Sequence, residues 1–120
     1  MPGALVEFLI GFLFLLPFFF LASLNHDRLV RMLYEKYRPE WRQAGGPFGF
    51  FWRAPGERPS MAGFIRASVT WAFRLPPKLA ADPASRRPLL LLRVGIGIWN
   101  LGMIALFALL ISRHGPPSTW

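Results

Sequence analysis

The sequence predicts an all-α membrane protein, an antiparallel two-helix transmembrane hairpin with amphipathic cytoplasmic or interfacial helices between its spans. Three observations carry that prediction. Two long apolar runs, 4–24 and 88–112, lie near opposite ends of the 120-residue chain. The stretch between them, 25–87, is strongly basic, and a short tail, 113–120, follows the second run. Within the middle stretch apolar residues return at helical spacing and do not alternate as in a strand.

The first run reads ALVEFLIGFLFLLPFFFLASL, with Glu7 as its only charge. About 20 apolar residues suffice for a helix to cross a hydrocarbon core of about 30 Å. Backbone polar groups find no water in lipid, so such a segment must satisfy them internally, as a helix. A cleaved signal peptide would need a basic segment ahead of the run, and no Lys or Arg precedes Arg28. A retained span is therefore expected. Pro17 removes one backbone donor and frees the carbonyl of Leu13, which predicts a local loosening. Glu7 lies about one turn inside the run, where its carboxylate can snorkel to the interface.

The second run, LLLLRVGIGIWNLGMIALFALLIS, is less plain. Arg93, Gly97 and Asn100 fall at i, i+4 and i+7 and share one helix face. A polar stripe on a spanning helix is expected to face protein, so Pro17, Arg93, Gly97 and Asn100 are the predicted intramembrane packing residues. Asn100 can donate to the freed Leu13 carbonyl of the facing helix or turn to a partner subunit. Gly95 and Gly102, seven residues apart, line a common groove suited to close helix approach.

Orientation follows from charge. Arg28, Arg31, Lys36, Arg38, Arg42, Arg53, Arg58, Arg66, Arg74, Lys78, Arg86 and Arg87 all lie between the runs, none lies before them, and only Arg113 lies after them. The positive-inside rule then puts 25–87 in the cytoplasm and both termini outside it. The first helix should continue to about Tyr37, with Leu29, Met32, Leu33 and Tyr37 on one side, until Pro39 bends or ends it. Gly45, Gly46 and Pro47 break the chain. The aromatic patch FGFFW, 48–52, suits either the membrane interface or contact with the protein's own helices.

A further helix is expected from Pro59 to Leu75, with Ser60 as N-cap. Met61, Phe64, Ile65, Ser68, Ala72 and Leu75 form its apolar face, and Arg66, Thr70 and Arg74 a polar stripe. Pro76 and Pro77 stop it, and Asp82 with Pro83 starts the approach to the second span. Arg66, Arg74, Arg86 and Arg87 are the predicted contacts to anionic phospholipid.

Composition closes off several functions. No cysteine excludes a disulfide, a thiolate zinc site and a cysteine nucleophile. The two histidines, His26 and His114, fall on opposite sides of the membrane, which excludes a histidine metal site within one chain. There is no nucleophile elbow, no phosphate-binding glycine loop and no HExxH, so no catalytic residue, metal or cofactor is predicted. The net charge of +8 suits nucleic acid as well as lipid. The apolar faces of the basic segment are needed at the membrane, so no nucleic-acid partner is expected.

The middle segment carries Leu33-Tyr34-Glu35-Lys36-Tyr37-Arg38-Pro39-Glu40-Trp41, then Ala44-Gly45-Gly46-Pro47, Trp71 to Arg74, and Ala81-Asp82-Pro83 leading to Leu92-Arg93. In these residues it loosely resembles a bacterial inner-membrane family similar to universal stress protein B. Ala81 stands where that resemblance leads one to expect glycine. The resemblance covers about residues 30 to 93 and implies a small two-helix inner-membrane protein with no catalytic residues. The function expected is a non-catalytic accessory subunit of a larger membrane complex of respiratory or photosynthetic type, partnered by other integral membrane subunits. The alternative is a self-associating protein of a stress response, a homo-oligomer acting at the lipid surface.

The charge distribution makes the topology directly testable. Reporter fusions at either terminus should be active only outside the cytoplasm; activity confined to the cytoplasm would reverse the orientation.

Overall fold

The structure, a computed structural model, describes residues 2–58 and 60–119. Its elements are α1 (Pro2–Lys36), α2 (Arg38–Gln43), α3 (Met61–Thr70), α4 (Pro77–Ala81) and α5 (Arg86–His114), with single 3-10 turns at Pro83–Ser85 and Pro117–Thr119. No strand occurs among the described residues. Trp120, the last residue of the tail, lies outside them, as do Met1 and Pro59, where the third helix is expected to begin.

Two helices are long and apolar enough to cross a membrane, and they are α1 and α5. Only 6% and 17% of their most apolar windows are buried, whereas the core helix of a soluble domain would be mostly covered. α1 has 35 residues and continues unbroken past Pro17, which stands exposed on its surface. At about 1.5 Å of rise per residue it is longer than any hydrocarbon core requires, so its last turns continue beyond the apolar run, as the periodicity predicts.

α1 and α5 lie side by side and run in opposite directions. Their far ends meet at Glu7, which takes Arg113 Nη2 at 3.0 Å and His114 Nε2 at 3.0 Å. Phe8 packs on Phe107, and Phe12 and Phe19 pack on Trp99. The backbones come closest at Gly95. A Cβ there would lie 2.8 Å from both the Ala22 nitrogen and the Phe18 oxygen. Glycine is therefore required by the approach of the two main chains, and Ala22 completes the contact.

The other end of the pair carries the core. Leu29, Val30 and Leu33 of α1, Trp41 of α2, Ala67 and Trp71 of the α3 region, Leu75, Leu79 of α4 and Leu92 of α5 form one buried cluster. The breaks between elements follow local chemistry. The chain leaves α2 through Gly45 and Gly46, with φ of 92° and 62°, a left-handed pair that residues with a Cβ avoid. Ser60 caps α3 by accepting from the Gly63 amide at 3.1 Å. Asp82 accepts from the Ala84 amide at 2.9 Å and opens the turn into α5.

Two expectations need correcting. α3 ends at Thr70, six residues before Pro76, so the prolines do not stop it; Pro77 is instead the first residue of α4, where its missing amide would be unpaired anyway. The face of α3 that turns inward is Gly63, Ala67 and Trp71, because small residues let it approach the Gly45 backbone and α1. Phe64 and Ser68 are half-buried, while Met61, Ile65, Val69 and then Phe73, which is 84% exposed, stand outward.

Asp82 also ties the loop to α1. The Tyr37 hydroxyl donates to its Oδ2 at 3.0 Å and Lys36 Nζ lies 3.4 Å away. The Ala84 amide, then Tyr37 and Lys36, hold its carboxyl below the usual carboxylate value. The same hydrogen bond raises the Tyr37 phenol, since losing its proton would leave two anions facing each other.

Gly95 and Gly97 should respond very differently to one added methyl. Gly95→Ala forces backbones apart and should cost about 1 to 3 kcal/mol, the usual range for overpacking. Gly97 has nothing within 4 Å of its would-be Cβ, so Gly97→Ala should change the unfolding midpoint little. Denaturation in mild detergent, followed by circular dichroism, checks both; equal effects would disprove the assigned contact face.

Candidate functional site

Where the apolar run of α1 ends, the helix carries four buried polar residues in close succession: Ser23, Asn25, His26 and Asp27. Two bond on their own helix, Ser23 Oγ donating to the Phe19 carbonyl at 2.9 Å and Asn25 Nδ2 to Leu21 at 2.7 Å, while the buried Asn25 Oδ1 has no partner in the protein. Asp27 reaches across to the loop 48–52. Its Oδ1 accepts from the Phe50 amide at 2.5 Å, and its Oδ2 from Phe51 at 2.7 Å and Trp52 at 3.1 Å. Three amides converging on one carboxylate form an anchor of charge-assisted bonds. Gly49 makes it possible, because any Cβ there would collide with the carboxylate.

The anchor holds the aromatic loop down. Phe48 stacks on Phe64 with centroids 4.8 Å apart, Phe51 on Phe20 at 6.2 Å, and Trp52 meets Tyr34 edge-on at 5.4 Å. The sequence left this patch between the interface and the protein's own helices. The contacts are with α1 and α3, yet Phe50 and Phe51 keep much of their surface exposed.

Beneath the loop sits His26, 2% exposed. Its ring lies 5.3 Å from Phe50, 5.5 Å from Trp71 and 6.2 Å from Phe64. Neither Nδ1 nor Nε2 has a hydrogen-bond partner in the protein. Asp27 Oδ1 is 3.9 Å from Nδ1, close enough to orient the ring but too long for a bond. A cavity of about 220 Å³ adjoins it, lined by the rings of Phe19, Phe50 and Trp99 and by polar Ser23, Ser68 and Asn100. No group of three His, Cys, Asp or Glu side chains is placed to hold a metal among the described residues. The chemistry available there is hydrogen bonding inside an aromatic frame.

Arg93, Gly97 and Asn100 share one face of α5, as their spacing predicts, but that face does not meet α1. Asn100 Nδ2 donates to Ile96 of its own helix at 2.8 Å, and not to the Leu13 carbonyl. Gly97 opens to empty space. The reason is rotational: close approach at Gly95 points the Leu92–Gly95–Trp99 side at α1 and swings Gly97 outward. Arg93 instead donates through Nε to the Ala72 carbonyl at 2.7 Å, just past the end of α3, where unpaired carbonyls attract a cation. With Phe73 and Leu101, these residues line a broad shallow groove on the outer surface.

Arg66, Arg74, Arg86 and Arg87 are exposed, the first two near the outward edge of α3 and the last two in the first turn of α5. Glu7, expected only to snorkel, takes partners the sequence reading did not consider, Arg113 and His114. His26 and Asp27 were missed as a site altogether. The available signal was a cluster of polar residues too dense for the end of an apolar run, matched by a glycine between aromatics at position 49. No family model, characterised protein or solved structure matches the chain.

Asp27→Ala would leave three amides without their acceptor and should cost on the order of 3 kcal/mol. Limited proteolysis within 47–58 should accelerate in parallel, and Asp27→Asn, which keeps one acceptor oxygen, should fall between. Unchanged stability and cleavage in the alanine variant would rule out the anchor.

Proposed function

We propose that this chain is a non-catalytic accessory subunit of a larger membrane complex, docking through the outward face of α5. In this reading α1 and α5 span a bacterial inner membrane as an antiparallel hairpin, with both termini outside the cytoplasm. The observation that carries it is the position of Gly97. A glycine with open space above it, flanked by Arg93 and Asn100 and bordered by Leu101, is a notch on a span where lipid would gain nothing from polar contacts. Small residues let a second helix approach closely, and an amide beside them can bond across the interface. The occupant proposed is a transmembrane helix of another integral subunit.

The region between the spans suits the inner leaflet. The outward edge Met61, Ile65, Val69 and Phe73 is apolar and belongs in the interface beside lipid tails. Arg66 and Arg74, with Arg86 and Arg87, would then lie near anionic headgroups, each contributing about 1 kcal/mol at low salt. The alternative, a self-associating protein of the stress-response type implied by the family resemblance, uses the same α5 face against a second copy. It predicts a homo-oligomer with no foreign subunit.

Purification in mild detergent from native membranes decides between them. Stoichiometric foreign subunits that are lost from Gly97→Leu and Asn100→Leu, while α-helix content is kept, support the accessory role. A homo-oligomer broken by the same substitutions supports the alternative. A monomer with no stable companion would overturn both.

A further inference from the structure

We infer that the cavity beside His26 is a binding site for the ring of a lipid-borne phenol or quinol. This does not rest on the docking role proposed for α5. Three observations converge. The first is the histidine: a buried imidazole with neither nitrogen partnered carries a desolvation penalty that a hydrogen-bonding ligand relieves. The second is size and lining. A volume of about 220 Å³ exceeds the roughly 150 Å³ that admits benzene in an apolar engineered cavity, so one substituted six-membered ring fits. Phe19, Phe50 and Trp99 supply faces and edges for such a ring, as aromatic pairs prefer.

The third is polarity and place. The Asp27 carboxylate 3.9 Å from Nδ1 favours the ring proton on that nitrogen, which leaves Nε2 as a hydrogen-bond acceptor. Both nitrogens are covered in this structure, so the imidazole turns toward the cavity to accept from a ligand hydroxyl, and that bond selects a phenol over a plain hydrocarbon or an ether. Asn100 borders the cavity and also the outer groove, and it is exposed. A ring dissolved in the bilayer can therefore enter sideways, from lipid, wherever no helix is seated on that groove, without crossing the packed core around Leu29 and Leu33. No redox step is assigned; the site binds the ring.

The test uses the full chain in phosphatidylcholine nanodiscs with 4-ethylphenol and its methyl ether, 4-ethylanisole, as probes. Protein-free nanodiscs correct for partitioning into lipid. With 15N-labelled histidine only two rings report, and His114 serves as the control. The expected result is a saturable shift of the His26 ring resonances with His114 unmoved, and roughly tenfold tighter binding of the phenol than of the ether. His26→Phe should erase that preference. Ser68→Phe, which fills the cavity from α3, should abolish saturable binding of both. If His26→Phe does not fold, the wild-type shift and Ser68→Phe still decide. A His26 resonance that does not move, as when only water enters, would overturn the assignment. So would equal affinity for phenol and ether, or wild-type binding by Ser68→Phe.

Discussion

The backbone contact between Gly95 and the Phe18–Ala22 turn governs the arrangement of everything else. Two apolar helices gain little from each other in lipid by hydrophobicity alone, since lipid tails are as apolar as leucine. Van der Waals approach must hold them, and approach is limited by the largest residue at the crossing. Gly95, facing an alanine, lets the backbones meet, and Gly11 and Gly102 make room for the Leu106 and Leu15 side chains of the opposite helix, so positions without a Cβ set the separation and the rotation of α5. That rotation places Trp99 against Phe12 and Phe19, Arg93 under the end of α3, and Gly97 outward.

Charge acts at both ends of α1, joining it to α5 at one and to the aromatic loop at the other. At one end Glu7 takes both Arg113 and His114, a partly exposed cluster whose worth is modest in water and grows as the surroundings become less polar. At the other end Asp27 is met by backbone amides, with no arginine or lysine as its partner in the three bonds. That choice fixes a loop without spending a side chain from it, so Phe48, Phe50, Phe51 and Trp52 remain free to pack. The aromatic loop in turn covers His26. A buried imidazole without a partner is costly, and the costs of keeping it are offset by neighbours that the anchor holds in place. This is the sense in which the site is built: the carboxylate orients the loop, the loop encloses the ring, and α3 closes the third side.

α3 links the two candidate surfaces. Its inward face is made of Gly63, Ala67 and Trp71, so it can lie close against the pair, and the Ala72 carbonyl just past its end receives Arg93. Its outward edge is apolar over three turns, which a water-facing helix would not favour. Ser68 reaches the cavity while Phe73 reaches the groove beside Gly97. A change in what α3 touches therefore bears on both the cavity beside His26 and the groove beside Gly97.

Much of this was written in the sequence by itself. Length and hydropathy determined the two long helices, because a chain segment in lipid or in a tight pair has no alternative to internal backbone bonding. Proline, glycine and capping chemistry determined most of the joints: the break at Gly45–Gly46, the Ser60 cap and the Asp82 turn are local and need no tertiary information. What tertiary structure decided was rotation and meeting. Helical periodicity put Arg93, Gly97 and Asn100 on one face but could not say which way that face turned, because Gly95 and Gly97 are both glycines and differ only in what lies opposite. Asp27 and the amides of residues 50–52 are separated by more than 20 positions, so their bond, and the enclosed histidine that depends on it, arises only when the chain is folded.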